Sequence, residues 1–257
     1  MTEPTNTLFS LTGRTALITG GSSGIGHTIA HALGHAGANI VIAARRTTHL
    51  TQTLTELHHH NINAAAITAD LANPDDITHL CHQAPTFFGD IDILVNNAAN
   101  NIRPPMTELT TDDYHQTMAV NITAPYLLGQ HFGPLMAQRG WGRIINIGSQ
   151  QSIRAFGNSG AYGISKAAIT GLTRSQAEAW SPHGVCANTI IPGFVLTPLT
   201  QTVQDTPGLP EALAARTLTG RNGHPADYAG IAVLLASNAS AYITGQAICV
   251  DGGFSVH

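Results

Sequence analysis

Short runs of apolar residues alternate along the whole chain with longer stretches in which apolar and polar residues recur at helical spacing. Most of the short runs are apolar at successive positions, which is typical of strands that are covered on both faces. The predicted strands span residues 15–19, 39–44, 64–68, 91–95, 143–147, 185–190 and 247–250. The intervals between them are long enough for crossover helices. The pattern therefore predicts an α/β fold with a single doubly wound parallel sheet and helices on both faces.

The chain contains no linker-like segment, no break in composition and no internal repeat, so we expect residues 1–257 to form one domain. The interval 194–223 breaks the alternation of strands and helices, because it contains Pro198, Pro207 and Pro210 together with several glycines. Ligands bind at the carboxyl ends of the strands in such sheets, and long insertions are often active-site lids. We therefore expect residues 194–223 to form a lid over a substrate.

The composition excludes several classes of function. The 257 residues carry a net charge of −4 without a cluster of Lys or Arg, so a nucleic-acid partner is not expected. No run approaches the roughly 18 apolar residues of a membrane span. The three cysteines form no CxxC pair that would indicate a zinc site or a disulfide framework. The first residues are polar and acidic and do not resemble a signal peptide, so we expect a cytoplasmic protein with a small-molecule substrate.

Three histidines recur one helical turn apart, at His27, His31 and His35, and such a row can in principle bind a metal ion. Apolar residues of the same segment occupy the positions that would face the sheet. We therefore expect the histidine row to face water, and we assign no metal site to the chain.

A glycine-rich segment follows the first predicted strand and leads directly into a helical pattern. Glycines allow a tight turn and a close approach of the backbone to a pyrophosphate, and the free N–H groups at the start of the helix attract its charge. The segment lacks the Gly-Lys-Ser/Thr ending of a P-loop, so it favours a Rossmann-like dinucleotide site. The candidate cofactor residues in this segment are Gly20, Ser22, Ser23, Gly24, Ile25 and Gly26.

The end of the second predicted strand indicates which dinucleotide is bound. In NAD-binding folds, an acidic residue about 20 residues further on usually holds the ribose 2′-hydroxyl. No Asp or Glu occurs between Gly26 and Glu56, and the strand is followed by Arg45 and Arg46. Two guanidinium groups there would match a 2′-phosphate, so we predict a preference for NADP(H) over NAD(H). The alternative is that both arginines are merely solvated.

Tyr162 precedes Lys166 by four residues in a helical stretch, which places both side chains on one face of a helix. Lys166 is the only lysine of the chain. A nearby ammonium group stabilises a phenolate, so we expect Lys166 to lower the pKa of Tyr162 toward neutrality. A tyrosine of this kind is suited to act as a general acid and base.

These two segments belong to a longer series of motifs that resembles the short-chain dehydrogenase/reductase family over nearly the whole chain. The motifs occur in the order and at the spacings of that family. They are Thr19-Gly20-x-x-x-Gly24-Ile25-Gly26, Asp70-Leu71, Asn96-Asn97-Ala98-Ala99, Asn121, Ser149, Tyr162-x-x-x-Lys166, Pro192-Gly193 with Thr197, and Asp251-Gly252-Gly253. One departure is Ala99, where the family usually has glycine. Its methyl group could narrow the approach to the cofactor or to the substrate.

The resemblance implies an NADP(H)-dependent enzyme that acts on CH–OH and C=O groups, with catalytic residues Asn121, Ser149, Tyr162 and Lys166. It implies that Tyr162 exchanges a proton with the substrate oxygen and that Ser149 hydrogen-bonds the same oxygen. Lys166 would hold the nicotinamide ribose and tune Tyr162. Asn121 would anchor a water molecule that relays protons to Lys166.

The same resemblance assigns further residues to the cofactor. Asp70 and Leu71 would flank the adenine, and Asn97 and Ala98 would line the ribose. The residues that would pack on the nicotinamide are Pro192, Gly193, Val195 and Thr197. Members of the family are commonly homotetramers built through the helix that carries the tyrosine and the helix before it. Small residues surround much of that helix in this chain, which agrees with a neighbour there, and we expect a homotetramer.

Two segments that leave the carboxyl edge of the predicted sheet contain the candidate substrate residues Arg103, Gln151 and Arg154. Their amide and guanidinium groups suit a polar or anionic substrate. These segments and residues 8–11 also resemble gluconate 5-dehydrogenases and related sugar-acid oxidoreductases. We therefore expect a sugar acid such as gluconate or 5-ketogluconate. The alternative for both arginines is a solvated or interface position.

Two other functions stay open. The first is a reductase of 3-oxoacyl thioesters or of a natural-product ketone, in which the apolar part of residues 194–223 would cover a longer substrate. The second is a non-catalytic dinucleotide sensor. A sensor has no use for an acid/base group, so Tyr162 and Lys166 argue against it.

Overall fold

The protein folds around one seven-stranded sheet in which every pair of neighbouring strands is parallel. The computed structural model describes residues 5–256. The strands are β1 (Thr15–Thr19), β2 (Asn39–Ala44), β3 (Ala64–Thr68), β4 (Ile93–Asn96), β5 (Gly142–Ile147), β6 (Val185–Pro192) and β7 (Ala247–Val250). Their order in the sheet is β3-β2-β1-β4-β5-β6-β7. This order confirms the predicted doubly wound α/β fold, whose strand order reverses next to β1.

Helices connect the strands and cover both faces of the sheet. They are α1 (Thr5–Leu8), α2 (Gly24–His35), α3 (Thr47–His59), α4 (Pro74–Gln83), α5 (Pro85–Phe88), α6 (Thr111–Met118), α7 (Ala124–Gln138), α8 (Gly160–Trp180), α9 (Gln201–Gln204), α10 (Leu209–Ala214) and α11 (Ala229–Ala236). One buried apolar cluster lies under α2, α3 and α11, and a second lies under α4, α7 and α8. Ile18 of β1 belongs to the first cluster and Leu17 to the second, because successive side chains of a strand alternate between faces. Within the described part of the chain, no helix combines the length and the apolar character needed to cross a membrane.

The predicted strand boundaries differ from the observed ones by two positions at the start of β4, which begins at Ile93, and at the end of β6, which extends to Pro192. Asp92, just before β4, still bonds to both neighbouring strands through its backbone. Its N–H donates to the carbonyl oxygen of Thr15 at 2.9 Å, and its carbonyl oxygen accepts from the N–H of Arg143 at 3.0 Å. Its carboxylate also accepts a hydrogen bond from the backbone N–H of Thr15 at 3.1 Å and pairs with Arg14 at 3.4 Å.

Residues 194–223, expected to be irregular, contain a 3₁₀ turn at Pro198–Thr200 and the short helices α9 and α10. An isolated parallel bridge between Val195 and Gly223 joins the two ends of this segment. The segment therefore leaves and rejoins the fold at one place, just beyond the carboxyl end of β6.

The histidine row of α2 is not simply solvated. α3 packs beside it, so the side chains of His27 and His31 are only 32% and 17% exposed, whereas His35 is exposed. His27 Nε2 lies 2.8 Å from Glu56 Oε2 of α3. The expectation that the row faces water was therefore wrong for His27 and His31, because the pattern within α2 does not reveal which helix lies beside it.

A chain of buried polar side chains holds α8 to the sheet. Asn96 Nδ2 donates to Asn146 Oδ1 at 2.8 Å. Asn146 Nδ2 in turn donates to Thr173 Oγ1 at 2.8 Å and to Gln176 Oε1 at 2.9 Å. Thr173 Oγ1 also lies 2.6 Å from Thr189 Oγ1. The network joins β4, β5 and β6 to one face of α8, so it fixes the rotation of that helix.

We expect Asn146→Ala to lower the free energy of unfolding by about 2 kcal/mol or more, because it leaves the side chains of Asn96, Thr173 and Gln176 buried with fewer partners. Chemical denaturation measures this loss. Asn63→Ala is the matched control, since it removes an exposed hydrogen bond to Asn39, and it should change stability by less than about 0.5 kcal/mol. Equal effects of the two substitutions would contradict a stabilising role for the buried network.

Candidate active site

The loop after β1 approaches β4 so closely that it has no room for a side chain. Gly20 has a φ of 64°, and a Cβ atom there would lie 2.8 Å from Asn97 Nδ2 and 2.9 Å from Ala98 Cα. Asn97 Nδ2 donates to the carbonyl oxygens of Thr19, at 3.0 Å, and of Gly20, at 3.1 Å. The Asn97 amide therefore fixes the loop against the end of β4, and glycine is required for this path.

The first turn of α2 follows this loop and offers backbone N–H groups to an anion. Ser23 precedes the helix in an extended conformation, and its side chain makes no capping hydrogen bond. Gly24, the first helical residue, has a φ of 56°. Uncapped N–H groups and the positive end of a helix dipole together favour a phosphate group. The loop and the helix start therefore fit the pyrophosphate of a dinucleotide.

A cleft of about 410 Å³ extends along the carboxyl ends of the strands. All of the predicted cofactor residues line it except Gly26, which instead packs against the Asn97 side chain and the Gly20 backbone. Asn121 is also absent from its walls. The predicted residues that line the cleft are Gly20, Ser22, Ser23, Gly24, Ile25, Arg45, Arg46, Asp70, Leu71, Asn97, Ala98, Ser149, Tyr162, Lys166, Pro192, Gly193, Val195 and Thr197. The fold thus brings segments from six strands to one site.

Two cations border the cleft beyond the end of β2. Arg45 and Arg46 are both exposed, and both line the cleft. Within residues 5–256, neither guanidinium group has a hydrogen-bond or ion-pair partner. Asp70, just after β3, differs from these arginines because its carboxylate has a partner: it accepts a hydrogen bond from the backbone N–H of Ala72 at 3.0 Å. The rim therefore offers two unpaired cations to a bound anion.

Ser149 and Tyr162 bring two hydroxyl groups together where β5 faces the start of α8. Ser149 Oγ accepts a hydrogen bond from the backbone N–H of Gln151 at 3.2 Å, which leaves its own proton available. The Ser149 side chain also acts on Tyr162, whose pKa it lowers. Tyr162 is 8% exposed. A carbonyl oxygen placed between these groups could accept hydrogen bonds from both.

The pKa of Tyr162 is raised above its ordinary value, not lowered as expected. Burial is the largest cause, because it disfavours the charged phenolate, and it outweighs the hydrogen bond from Ser149 and the charge of Arg103, which both lower the pKa. Lys166 Nζ lies 5.7 Å from the centre of the Tyr162 ring. Tyr162 therefore stays protonated at neutral pH, in the form that can give a proton to a substrate.

Lys166 is a buried cation at the end of β5. Its side chain is 3% exposed, and Nζ donates to the carbonyl oxygen of Ile147 at 2.7 Å. Burial lowers the pKa of Lys166 to about 8, because the ammonium group loses hydration. Lys166 therefore changes its charge close to neutral pH.

Asn121 lies in a π-helical turn, Ala119–Thr123, between α6 and α7. Its Oδ1 accepts from the backbone N–H of Asn100 at 2.7 Å, and its Nδ2 donates to the carbonyl oxygen of Asn100 at 3.0 Å and to Ser165 Oγ at 2.9 Å. Ser165 Oγ donates to the carbonyl oxygen of Tyr162 at 2.7 Å. Asn121 therefore ties the loop after β4 to the helix that carries Tyr162. Neither the π turn nor Ser165 was predicted from the sequence.

Arg103 is held near Tyr162 by the backbone of a neighbouring loop. Its Nε donates to the carbonyl oxygen of Asn158 at 3.0 Å, and its Nη2 donates to that of Gly157 at 2.6 Å. Among the described residues, Nη1 has no partner. The charge of Arg103 lowers the pKa of Tyr162, so the carbonyl groups of Gly157 and Asn158 hold this cation where it acts on the tyrosine.

The other two predicted substrate residues make different contacts. Gln151 Oε1 is buried and has no hydrogen-bond partner within the described chain. Arg154 lies over the ring of Phe254 at 5.6 Å, beside a smaller cavity of about 130 Å³ that Arg216 also lines. None of the three predicted substrate residues lines the large cleft itself.

Sequence reasoning missed part of the cleft wall. The missed residues are Ala43, Ala44, Ala69, Ala99, Asn100, Val120, Ile147, Gly148, Pro198, Leu199 and Thr200. Leu199 and Thr200 belong to the segment 194–223. Because this segment was predicted to cover the substrate, that prediction could have indicated that they line the cleft. Val120 comes from the π turn, which has no signal in the sequence. Ala99, the departure from the family pattern, lies in the wall, where its methyl group takes up space.

Comparisons with known proteins agree over nearly the whole chain. A family described as Enoyl-(Acyl carrier protein) reductase matches residues 20–255. A 2-dehydro-3-deoxy-D-gluconate 5-dehydrogenase of Bacillus subtilis is 38% identical, with 96% of each chain covered. A tropinone reductase homolog of Arabidopsis thaliana is 36% identical, with 97% of this chain and 96% of that protein covered.

One solved structure is described as a gluconate 5-dehydrogenase from Burkholderia cenocepacia in complex with NADP and tartrate. It superposes with a TM-score of 0.94 at 35% identity, and the match covers 99% of this chain and 100% of that chain.

We expect the pKa of Lys166 to be measurable directly, because the chain has no other lysine. In protein labelled with ¹³C-lysine, the ¹³Cε resonance should titrate with a midpoint near 8. The ammonium form would dominate below that pH and the neutral amine above it, since burial disfavours the charge. The unfolded protein in urea is the control and should titrate near about 10.4. A midpoint near 10 in the folded protein would contradict this account.

Proposed function

From the premise that this chain belongs to the short-chain dehydrogenase/reductase family and is an oxidoreductase that uses a nicotinamide dinucleotide, we propose a more specific reaction. The protein transfers a hydride between NADP(H) and a secondary alcohol or ketone of a sugar acid, such as gluconate and 5-ketogluconate. The observation that carries the proposal is Arg103, a cation that is held by the carbonyl groups of Gly157 and Asn158 and whose charge acts on Tyr162, the residue that would exchange the proton.

The preference for NADP(H) rests on the rim of the cleft. Arg45 and Arg46 are unpaired cations next to the end of β2, and no acidic residue lies between Gly26 and Glu56 to hold a ribose 2′-hydroxyl. A 2′-phosphate would receive charge-assisted hydrogen bonds there without repulsion from a carboxylate. The bound NADP of the Burkholderia structure supports the same choice.

The sugar-acid substrate rests on the groups around Tyr162. A substrate whose carbonyl oxygen meets Tyr162 and Ser149 would bring an anionic group within reach of Arg103, whose Nη1 is open. Gln151 Oε1, buried without a partner, is suited to accept a hydrogen bond from a substrate hydroxyl. Arg154 is the second candidate for the carboxylate, although it lies over Phe254. Relatives named for gluconate derivatives support this substrate class.

In the reductive direction, Tyr162 donates its hydroxyl proton to the substrate oxygen while Ser149 donates a hydrogen bond to the same atom. The raised pKa of Tyr162 keeps that proton in place until the substrate oxygen gains charge. When bound, the reduced dinucleotide supplies the hydride. In the oxidative direction Tyr162 must first lose its own proton to become a phenolate, which then accepts the proton of the substrate hydroxyl; burial makes this phenolate harder to form.

Lys166 and Asn121 complete this proposal. Lys166, 3% exposed, would bind the ribose hydroxyls of the cofactor through its Nζ atom and would replace the proton of Tyr162. The side chain of Asn121 is occupied by Asn100 and Ser165. A water molecule that relays protons to Lys166 would therefore be held by the backbone carbonyl of Asn121.

Three further features belong to the proposal. Residues 1–257 act as one domain, and residues 194–223 close over the substrate, with Leu199 and Thr200 in the cleft wall. Four copies assemble through α7 and α8, which expose Tyr126 and Ile164 by 48% and 45%. A mass equal to one chain in light scattering would contradict the proposed tetramer.

The proposed location is cytoplasmic, where the three free cysteines stay reduced.

We expect the double substitution Arg45→Ala and Arg46→Ala to raise the KM for NADPH by about tenfold to a hundredfold, the size of lost charge-assisted hydrogen bonds of about 1.5–3 kcal/mol. The KM for NADH should stay within about twofold. Arg174→Ala, an exposed arginine on α8, is the matched control. An equal loss with both dinucleotides would contradict the assigned 2′-phosphate site.

We expect the purified protein to consume NADPH in the presence of 5-ketogluconate, and faster than it consumes NADH, followed by near-ultraviolet absorbance. Tyr162→Phe should lower kcat by about 10²–10⁴-fold while NADPH still binds, because it removes only the proton donor. Arg103→Ala should raise the KM for 5-ketogluconate by about tenfold or more without raising that for a neutral ketone.

Controls separate the alternatives. Arg154→Ala should leave the KM for 5-ketogluconate unchanged, and the reverse result would place the carboxylate at Arg154. Turnover of a 3-oxoacyl thioester or an apolar cyclic ketone, with no turnover of 5-ketogluconate, would contradict the proposed sugar-acid substrate but not the oxidoreductase activity. Full turnover by Tyr162→Phe would remove the proposed mechanism.

A further inference from the structure

A cluster of metal-ligating side chains lies between α2 and α3, outside the cleft already described. His27 and His31 are one turn apart on α2, and Glu56 faces them from α3. Glu56 Oε2 lies 2.8 Å from His27 Nε2 and 3.9 Å from His31 Nε2. One ligand atom from each of the three side chains lies within 4.8 Å of the other two. Imidazole and carboxylate groups that converge in this way are typical ligands of a transition metal.

The second observation is that His31 lacks a partner. Its Nε2 atom is buried and forms no hydrogen bond within the described chain, although Glu56 lies 3.9 Å away. A buried polar atom without a partner costs free energy unless something else binds it. A metal ion bound to Nε2 would give this atom the partner that it lacks.

The carboxylate of Glu56 is already oriented. Gln52, one turn earlier on α3, donates from Nε2 to Glu56 Oε1 at 2.9 Å, which leaves Oε2 facing the two histidines. Gln52 therefore acts as the kind of outer partner that orients ligating side chains in metal sites.

The distances fit a metal ion after a small adjustment. Bonds of about 2.0–2.2 Å from zinc to nitrogen and oxygen place tetrahedral ligand atoms about 3.3 Å apart. The 2.8 Å and 3.9 Å separations lie on either side of that value. The ring of His60 lies 5.5 Å from that of His31, and the ring of His35 lies 6.3 Å from it. A fourth ligand is thus available from the protein or from water.

We propose that His27, His31 and Glu56 form a binding site for a divalent transition-metal ion of the zinc type. The ion would replace the hydrogen bond between His27 and Glu56 and would join α2 to α3. α2 begins at Gly24, in the glycine loop, and α3 begins at Thr47, directly after Arg45 and Arg46. The ion would therefore link the two helices whose first residues border the proposed dinucleotide end of the cleft. This proposal departs from the expectation that the chain has no metal site.

Calorimetric titration of the full-length, chelator-treated protein with Zn²⁺ tests the proposal. We expect one ion per chain. At a free Zn²⁺ concentration of about 100 times Kd, the Tm should rise by about 5–10 °C for a protein of this size, because the ion binds the folded state alone. Co²⁺ at the same site should show the intense visible absorption of tetrahedral coordination.

Variants assign the site. His31→Gln and Glu56→Gln should each weaken Zn²⁺ binding by at least about tenfold and remove the Co²⁺ bands. His59→Gln and His82→Gln are the matched controls, because they remove histidines of the neighbouring tract and of a separate histidine pair. They should leave both signals unchanged. NADPH binding reports that each variant is folded. If His31→Gln does not fold, Glu56→Gln still tests the site, because the Glu56 side chain is partly exposed.

Two results would overturn the proposal. Unchanged Zn²⁺ affinity in His31→Gln and Glu56→Gln would show that the ion binds elsewhere. Loss of Zn²⁺ binding in His59→Gln would assign the ion to the tract from His58 to His60, where any exposed run of histidines could bind it. Neither result depends on the substrate, so the test stands apart from the proposed reaction.

Discussion

The hydrogen bonds that Asn146 makes to Thr173 and Gln176 are the constraint on which the site depends, because they fix the rotation of α8 against the sheet. Ile147, the next residue of β5, accepts a hydrogen bond from Lys166 Nζ. Two adjacent residues of one strand thus hold the helix at two places, one by a side chain and one by a carbonyl group. Ser149, two residues further along, then meets Tyr162. An apolar contact would tolerate rotation of α8, whereas directional hydrogen bonds do not.

Burial sets the chemistry of the two titratable groups on that helix. It raises the pKa of Tyr162 and lowers that of Lys166, because both charged forms lose hydration. The charge that opposes this effect at Tyr162 comes from Arg103, in the loop after β4, which is itself anchored by the loop before α8. The guanidinium group that we propose to bind an anionic substrate therefore also acts on Tyr162.

The opposite end of the cleft is built from backbone rather than from side chains. The loop at Gly20 is pressed against Asn97 and Ala98, and α2 starts immediately afterwards. Arg45 and Arg46 add positive charge there, and the Asp70 carboxylate adds a negative one. α2 and α3 carry these elements, and the contact of His27 and His31 with Glu56 joins the two helices one to two turns away. The geometry of the dinucleotide end thus depends on how these two helices are held together.

The sequence by itself determined the parallel sheet, the glycine loop, the arginine pair and the shared face of Tyr162 and Lys166. These features follow from apolar periodicity, from glycine conformation and from spacing within one helical turn, which are all local properties. Only the tertiary structure decided the π turn that holds Asn121, the direction of the Tyr162 pKa shift, the different contacts of Arg103 and Arg154, and the pairing of His27 with Glu56. Each of these depends on desolvation or on contacts between residues far apart in the chain. Such contacts arise when helices pack on the sheet, and no pattern within a single segment records them.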